Sequence, residues 1–469
     1  MEMLSCNLNR SSEVPLYEQL YEYIKNEVMN GRLPYQTKLP SKRKLAEFLQ
    51  ISENTVDTAY NQLTAEGYLE VIPRKGYFVM AYDDLEFIPK VQMPNQKKEN
   101  KVQLRYHFHP SQIDTSNFPF EVWRKLSRKF ISIEQQEILL LGDSKGEYAL
   151  RKEIANYLYH ARGVICSAEQ IIIGAGIEIL LQQLLVLLED DTIYGVEDPG
   201  YHLIHRILKT YPKEVYPLAV DEDGLIIEGL EQSDIDVAYV TPSHHFPYGN
   251  ILPVNRRVKL LNWAAASDKR YIIEDDYDSE FRYSGKSIPS LQSMDQSDKV
   301  IYLGSFSKSL MPSIRISYMV LPKHLLHRYE TELSFYHSTV SRIDQLILAE
   351  FIKQGMFEKH LNRMRKVYRH KLDLVGNILK VYNNQISIIG GHSGLHVVLV
   401  VNNGMTEKEL VERAAAAKLK VYPLSSYMLV KNEDMLPTIV MGFAGIPEEE
   451  IEKAIHLLLA SWNIIEKKK

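Results

Sequence analysis

The chain has 469 residues, 45% of them hydrophobic, and a formal net charge of −5, enough for about two or three domains with sizeable cores. The negative balance excludes a broadly cationic coat, so any contact with nucleic acid has to come from a local patch. Its two cysteines, Cys6 and Cys166, are too few for a disulfide framework and fit a reducing cytoplasm, and neither a run of roughly 18 apolar residues nor a basic-then-apolar leader points to a membrane.

In chain order, Leu16, Tyr17, Leu20, Tyr21, Ile24 and Val28 mark one face of a helix that starts after Pro15 and is closed by Gly31. A second helix is expected after Ser41, its N-cap, through Leu49. The third begins at Ser52, with Val56, Ala59, Tyr60 and Leu63 turned inward and Asn54, Thr55, Asp57, Thr58 and Asn61 turned outward. Tyr68 to Val79 then reads as two short strands around Pro73-Arg74-Lys75-Gly76. Helix, turn, helix and a two-stranded wing make a double-stranded DNA reader. The bland alternative is a packing module of three helices. Residues 1–80 hold nine Lys and Arg against ten Asp and Glu, so Lys38, Lys42, Arg43, Lys44, Arg74 and Lys75 must neutralise phosphate as a patch. Affinity per subunit is then modest, and dimerisation would raise it through effective concentration.

Residues 81–103, with Pro89, Pro94 and a charged run, read as a flexible tether. From 104 to 469 short apolar strands alternate with longer helical periods, the pattern of a mostly parallel sheet wrapped by helices, whose ligands bind beyond the carboxyl ends of the strands. Gln170 to Ile173 is such a strand; Gly174-Ala175-Gly176 turns it into an apolar helix, whose N-terminal amides favour an anion such as phosphate. After the next strand, Glu197-Asp198-Pro199-Gly200-Tyr201 offers Tyr201 as a ring for stacking, although an aromatic after Pro-Gly is more often simple packing.

Arg270 to Asp278 reads as a buried strand that emits a cluster of carboxylates and a phenol. Then Val300 to Leu303 leads into Ser305-Phe306-Ser307-Lys308 and, one loop later, Arg315. Two hydroxyls, an amine and a guanidinium in this order can hold an aldehyde-bearing phosphate ester, the amine covalently and the others through charge-assisted hydrogen bonds. Partial burial and a neighbouring cation would lower the lysine pKa and supply a neutral amine. Pyridoxal phosphate (PLP) also needs a carboxylate against its ring nitrogen and a donor at its phenolate oxygen; Asp275 and Tyr277 are assigned to these, with Asp276 a competing choice. A solvated loop lysine and a carboxylate metal site are the alternatives, the latter weakened by the lack of nearby His or Cys. Arg363 to Lys371 is strongly basic within a helical stretch, either a solvated face or a second DNA-facing surface. Strands are expected near Gly394 to Val401 and Thr438 to Phe443.

T-P-S-H-H-F-P-Y-G at Thr241 to Gly249, E-D-D-Y-D-S-E-F at Glu274 to Phe281 and S-F-S-K with its Pro-Ser-Ile-Arg tail resemble the fold-type I aminotransferases. L-P-S-K-R-x-L-A, A-E-G-Y-L and R-K-G-Y-F-V in the first eighty residues resemble the GntR family. Together, over nearly the whole chain, they are similar to the MocR/GabR regulators. The resemblance implies a GntR-type winged helix at 1–80, a linker at 81–103 and an aminotransferase-like PLP domain with a small C-terminal subdomain at 104–469. It implies that Lys308 holds PLP covalently, that Asp275, Tyr277 and Tyr201 hold the ring, and that Gly174, Ala175, Gly176, Ser305, Ser307 and Arg315 hold the phosphate. It places DNA contacts at Lys38, Ser41, Lys42, Arg43, Asn54, Thr55, Thr58, Arg74, Lys75 and Gly76, although the family usually has a basic residue where Glu53 stands. A homodimer is implied, because fold-type I sites form at a subunit interface.

Aminotransferases of this class clamp the substrate carboxylate with an arginine near the C-terminus, where this chain has Gly445, and GABA-sensing members have a further arginine where Leu203 stands. The resemblance therefore implies a cytoplasmic regulator that senses an amine or a vitamin B6-related metabolite, rather than a working aminotransferase. An effector of the ω-amino acid type is not expected, because a buried carboxylate without a cation loses several kcal/mol of solvation. His202 is the nearest substitute and at best a partial cation.

Overall fold

A computed structural model describes residues 6–80, 103–431 and 435–464. The chain divides into two compact units, Met1–Asn100 and Lys101–Lys469. The tether expected at 81–103 lies, but for its last residue, outside the described residues.

The first unit consists of α1 (Leu16–Met29), α2 (Lys42–Leu49) and α3 (Glu53–Ala65), followed by the antiparallel pair β1 (Leu69–Ile72) and β2 (Gly76–Val79). The apolar stripes meet in one core: Leu20, Ile24, Leu45, Val56, Ala59, Tyr60 and Leu63 are buried. Ser41 and Ser52 cap α2 and α3 by accepting the Lys44 and Thr55 amides at 3.4 and 3.1 Å. The Tyr60 hydroxyl donates to the Pro40 carbonyl at 3.0 Å, which fixes α3 to the turn before α2.

The second unit opens with β3 (Tyr106–His107), α4 (Phe120–Phe130) and α5 (Tyr148–Arg162). A sheet then grows through β4 (Ile171–Gly174), α6 (Ile177–Leu187), β5 (Ile193–Asp198), α7 (His202–Thr210), β6 (Glu214–Asp221), β7 (Gly224–Leu225), α8 (Ile227–Glu231), β8 (Val237–Val240), α9 (Val254–Ala265), β9 (Tyr271–Asp276), β10 (Val300–Ser305), the short α10 (Phe306–Ser309) and β11 (Ser317–Val320). Its order is β4-β11-β10-β9-β8-β5-β6-β7. The neighbours from β10 to β6 run parallel, whereas β11 is antiparallel to both β10 and β4. Strands such as β8 and β9 are buried along their whole length, as parallel strands covered on both faces must be. After α11 (Lys323–Glu332), α12 (Arg342–Lys353) and the long α13 (Met356–Lys380), the C-terminal part forms β12 (Ile386–Ile389), β13 (His396–Val401), α14 (Glu407–Ala416), β14 (Leu419–Lys420), β15 (Tyr422–Pro423), β16 (Thr438–Gly442) and α15 (Glu448–Ser461). There β12-β13-β16-β15 make a small antiparallel sheet, while β14 pairs with β3. No helix among the described residues is long and apolar enough to cross a membrane.

Candidate functional site

Register brings the motifs together. Ser317 pairs with both Gly174 and Ser305, and Gly304 pairs with Asp276. One row across β4, β11, β10 and β9 therefore aligns segments more than a hundred residues apart in sequence. Beyond that row lies a cavity of about 180 Å³ lined by Tyr201, Leu203, Asp275, Tyr277, Ser307, Lys308 and Arg315 among others.

Lys308 sits on the one-turn helix α10, its Nζ 4.0 Å from the centre of the Tyr277 ring. Burial holds its pKa below the ordinary lysine range, while Asp278, Asp275 and Glu280 pull the other way. The depression thus comes from desolvation, and the neighbouring cation expected from the sequence contributes nothing to it. Asp275 and Asp276 have different surroundings. Asp276 Oδ2 takes the Arg162 guanidinium at 2.6 Å and the Tyr302 hydroxyl. Asp275 faces the cavity; its Oδ2 accepts from Tyr239 at 2.5 Å, but its buried Oδ1 has no partner. Burial pushes the Asp275 carboxyl up to about 7. Tyr277 also lines the cavity, with its hydroxyl 3.1 Å from His244 Nδ1, which lies 2.7 Å from Asp278 Oδ1. Tyr201 is 37% exposed, edge-on to Phe246 at 5.7 Å between ring centres.

The phosphate-facing residues divide. Ala175 N–H already donates to Thr339 Oγ1 at 2.9 Å and Gly176 N–H to the Gly174 carbonyl at 2.9 Å. Amides available to an anion are instead those that open α6, from Ile177 and Glu178, which have no acceptor within the helix. Gly176 is required for space and conformation: its φ is +105°, and a Cβ there would lie 2.1 Å from Arg315 Nη2. Ser305 Oγ is occupied, accepting from Ser307 N–H at 3.2 Å and from Ser317 Oγ at 2.9 Å. Ser307 Oγ is buried without a partner. Arg315, at φ +50°, donates to Glu178 Oε2 at 2.7 Å and to the Ala175 carbonyl at 3.3 Å.

These observations fit PLP. A buried carboxylate oxygen and a hydroxyl lacking partners, an amine whose pKa burial lowers and a guanidinium at a helix start are the complements of its ring nitrogen, phosphate and aldehyde. Sequence reasoning missed Tyr239, Arg162, Glu178 and the His244–Asp278 pair. Tyr239 and Arg162 stand in an ordinary strand and at a helix end, with no local pattern to single them out. Among the described residues no group of three His, Cys, Asp or Glu side chains could hold a metal ion.

Leu203 lines the cavity, but Gly445 lies in an adjoining groove. Burial, and then Arg206, lower the His202 pKa, so His202 is not a cation at neutral pH; Arg206 itself is exposed on α7. The basic run 363–371 is divided: Arg363, Lys366, Arg369 and His370 are exposed on α13, as a solvated face requires, whereas Arg365 and Lys371 turn inward. Lys371 is 0% exposed and donates to Asp114 Oδ2 at 2.7 Å and to the Ala444 and Ile446 carbonyls at 2.9 and 2.7 Å. Arg365 Nε donates to the Glu280 carbonyl at 2.6 Å. Part of that charge therefore anchors α13 to its neighbours.

In the first unit Arg43, Lys44, Arg74, Lys75 and Asn54 are exposed. Lys38 is exposed beside the Phe78 ring. Lys42 is less free than expected, since its ammonium pairs with Asp57 and lies 5.4 Å from the Tyr77 ring centre. Ser41 is engaged as a cap, Thr55 Oγ1 is 2.7 Å from Ser52 Oγ, and Thr58 Oγ1 donates to the Asn54 carbonyl at 2.9 Å. Arg74 and Gly76 shape the wing turn at φ +66° and +111°.

Residues 16–79 match the model of the bacterial regulatory proteins of the gntR family, and residues 111–458 match aminotransferase class I and II. The chain is 44% identical over 464 residues to the HTH-type transcriptional regulator YdeL of Bacillus subtilis (strain 168), spanning 97% of this chain and 99% of that one. It is 32% identical over 446 residues, 95% of each chain, to the HTH-type pyridoxine biosynthesis transcriptional regulator PdxR of Corynebacterium glutamicum. The crystal structure of the Pyrococcus horikoshii kynurenine aminotransferase shares the fold over 76% of this chain and 90% of that one, with a TM-score of 0.67 and 24% identity.

Proposed function

The chain belongs to the MocR/GabR-type transcriptional regulators, in which a DNA-binding GntR winged helix precedes a PLP-binding aminotransferase-like domain, and from that premise we propose that it senses an amine or a vitamin B6-related metabolite through PLP held by Lys308. The observation that carries the reading is Lys308 and the unpaired Asp275 Oδ1 facing one cavity, in a chain whose other unit is a winged helix. When bound, PLP supplies an aldehyde that amines can occupy and a ring that withdraws electrons. Lys308 offers its amine, whose pKa burial lowers, Asp275 Oδ1 holds the proton at the ring nitrogen, and Tyr277, oriented by His244 and Asp278, donates to the phenolate oxygen. Tyr201 stacks on the ring. Arg315, with Ser307 and the amides that open α6, holds the phosphate and exchanges Glu178 for it. A relative named for pyridoxine biosynthesis makes a B6-related effector a natural member of the class.

The domain acts as a sensor without sustained turnover, since neither Leu203 nor Gly445 can clamp a carboxylate. Purified protein with PLP, an amine donor and a keto acid is expected to form no product beyond one equivalent; continued cycling would establish the alternative, an active aminotransferase with an accessory DNA-binding module. Operator affinity of the PLP-loaded chain, measured by fluorescence anisotropy with and without amines, tests the sensing itself. No change with any amine or with added PLP would refute it.

Three further outcomes are expected. Arg43→Ala and Arg74→Ala are each expected to weaken operator binding by about 1–3 kcal/mol if the side chain reads a base. A pure phosphate contact would instead weaken all sequences alike and reduce the salt dependence. Unchanged binding in both variants would mean that the reading surface lies elsewhere. The chain acts in the cytoplasm as a homodimer on double-stranded operator DNA, and sedimentation of a monomer that binds PLP and operator normally would contradict this. GABA is expected to give no saturable micromolar binding to the PLP-loaded chain; a saturable shift of the cofactor absorbance by GABA would mean that another cation, such as Arg206, has taken over the clamp.

A further inference from the structure

A second groove, of about 460 Å³, adjoins the cofactor cavity, and Ser111 and Pro312 line both. It is walled by His107, His109, Gln112, Ile113, Thr115 and Gly445. Its hydrogen bonds determine what it can offer. Ser111 N–H donates to His109 Nδ1 at 3.0 Å, so the neutral His109 ring carries its proton on Nε2. The Gln112 amide lies 3.2 Å from His107 Nδ1 and can donate to it, and His107 Nε2 is 2.5 Å from the Tyr422 hydroxyl. His107 Nε2–H then donates to Tyr422, whose own proton is free, and Gln112 Oε1 remains as an acceptor.

The groove is polar and carries no formal charge at neutral pH. Burial holds His109 down to about 4, with His107, Lys308, Lys420 and His202 acting in the same direction, and burial also lowers His107. Lys420 is exposed, 5.7 Å from the Tyr422 ring centre, and is not part of the lining. The nearby carboxylate of Asp114 is engaged by Lys371. Gly445 belongs to the same device: a Cβ there would lie 2.6 Å from Gln112 Cβ and 3.2 Å from its Oε1. A side chain at 445, arginine included, would have to displace Gln112.

We infer that this groove receives the tail of the effector amine and selects a tail bearing an uncharged hydrogen-bonding group, a hydroxyl or a carbonyl, over a hydrocarbon or a carboxylate. A hydrocarbon would leave the His109 donor and the Gln112 acceptor without partners, and a carboxylate would lose its solvation without meeting a cation. The inference rests on the reading of the adjoining cavity as the cofactor site.

The test uses the full chain loaded with PLP, titrated with 4-aminobutan-1-ol, n-pentylamine and 4-aminobutanoate while the absorbance of the bound cofactor is followed. The amino alcohol is expected to bind about tenfold more tightly than n-pentylamine, the effect of one well-made neutral hydrogen bond, and 4-aminobutanoate more weakly than either. In Gln112→Leu, a change at an exposed position, the gap between alcohol and hydrocarbon is expected to close. Equal or tighter binding of n-pentylamine, tightest binding of 4-aminobutanoate, no binding of any of the three, or an undiminished gap in Gln112→Leu would each overturn the groove. Absence of a bound-cofactor absorbance before any amine is added would refute the underlying site instead, so the two failures are distinct.

Discussion

Lys308→Ala is expected to abolish the absorbance of PLP joined covalently to the protein, together with any response of operator binding to amines. Ser307, Arg315, Asp275 and Tyr277 would still surround the cavity, so the variant can retain PLP weakly as a free aldehyde, but among the described residues no other lysine lines that space. The winged helix has its own buried core, from Leu20 and Ile24 to Leu63 and Val79, and should keep its fold and its basal affinity for DNA. Absorbance spectra and borohydride reduction followed by mass measurement check this directly. A chromophore that borohydride still fixes to the protein in Lys308→Ala would remove Lys308 from the role.

The two adjacent aspartates should behave in opposite ways. Asp276→Ala leaves the Arg162 guanidinium buried, 2.6 Å from where its carboxylate stood, and breaking such a pair costs about 3–5 kcal/mol. Arg162 keeps the Ser243 hydroxyl and the Ile288 carbonyl as acceptors, yet neither carries the compensating charge. Asp275→Asn removes a carboxylate whose Oδ1 has no partner, so it should leave the fold nearly as stable while weakening PLP retention by about 1.5–3 kcal/mol, the worth of a hydrogen bond to a charged group. Denaturation of the large unit in each variant, followed separately from the winged helix because a two-unit chain need not unfold in one step, together with PLP dissociation rates, measures both. Should Asp275→Asn unfold the unit and Asp276→Ala release PLP, the two roles would be reversed.

Short-range pattern explains what the sequence by itself determined. The inward face of α3 and its outward polar residues follow from a helical period of 3.6 and were readable from a dozen residues, as was the cap Ser41. The strand-turn-helix around Gly174, the carboxylates at the end of β9 and the hydroxyls flanking Lys308 were equally local, and together they pointed to PLP. Tertiary structure decided which members of those motifs are available. Asp276 is spent on Arg162, 114 positions away; Ser305 on Ser317; the Ala175 amide on Thr339, 164 positions away; and Lys42 on Asp57. A buried polar group bonds to whatever the fold brings near it, and nothing in the spacing of one segment encodes the partner supplied by another. The groove of His107, His109 and Gln112 is the same case: its Tyr422 partner lies 315 residues from His107, and only the packing of the C-terminal sheet against the first strand of the large unit makes it a site.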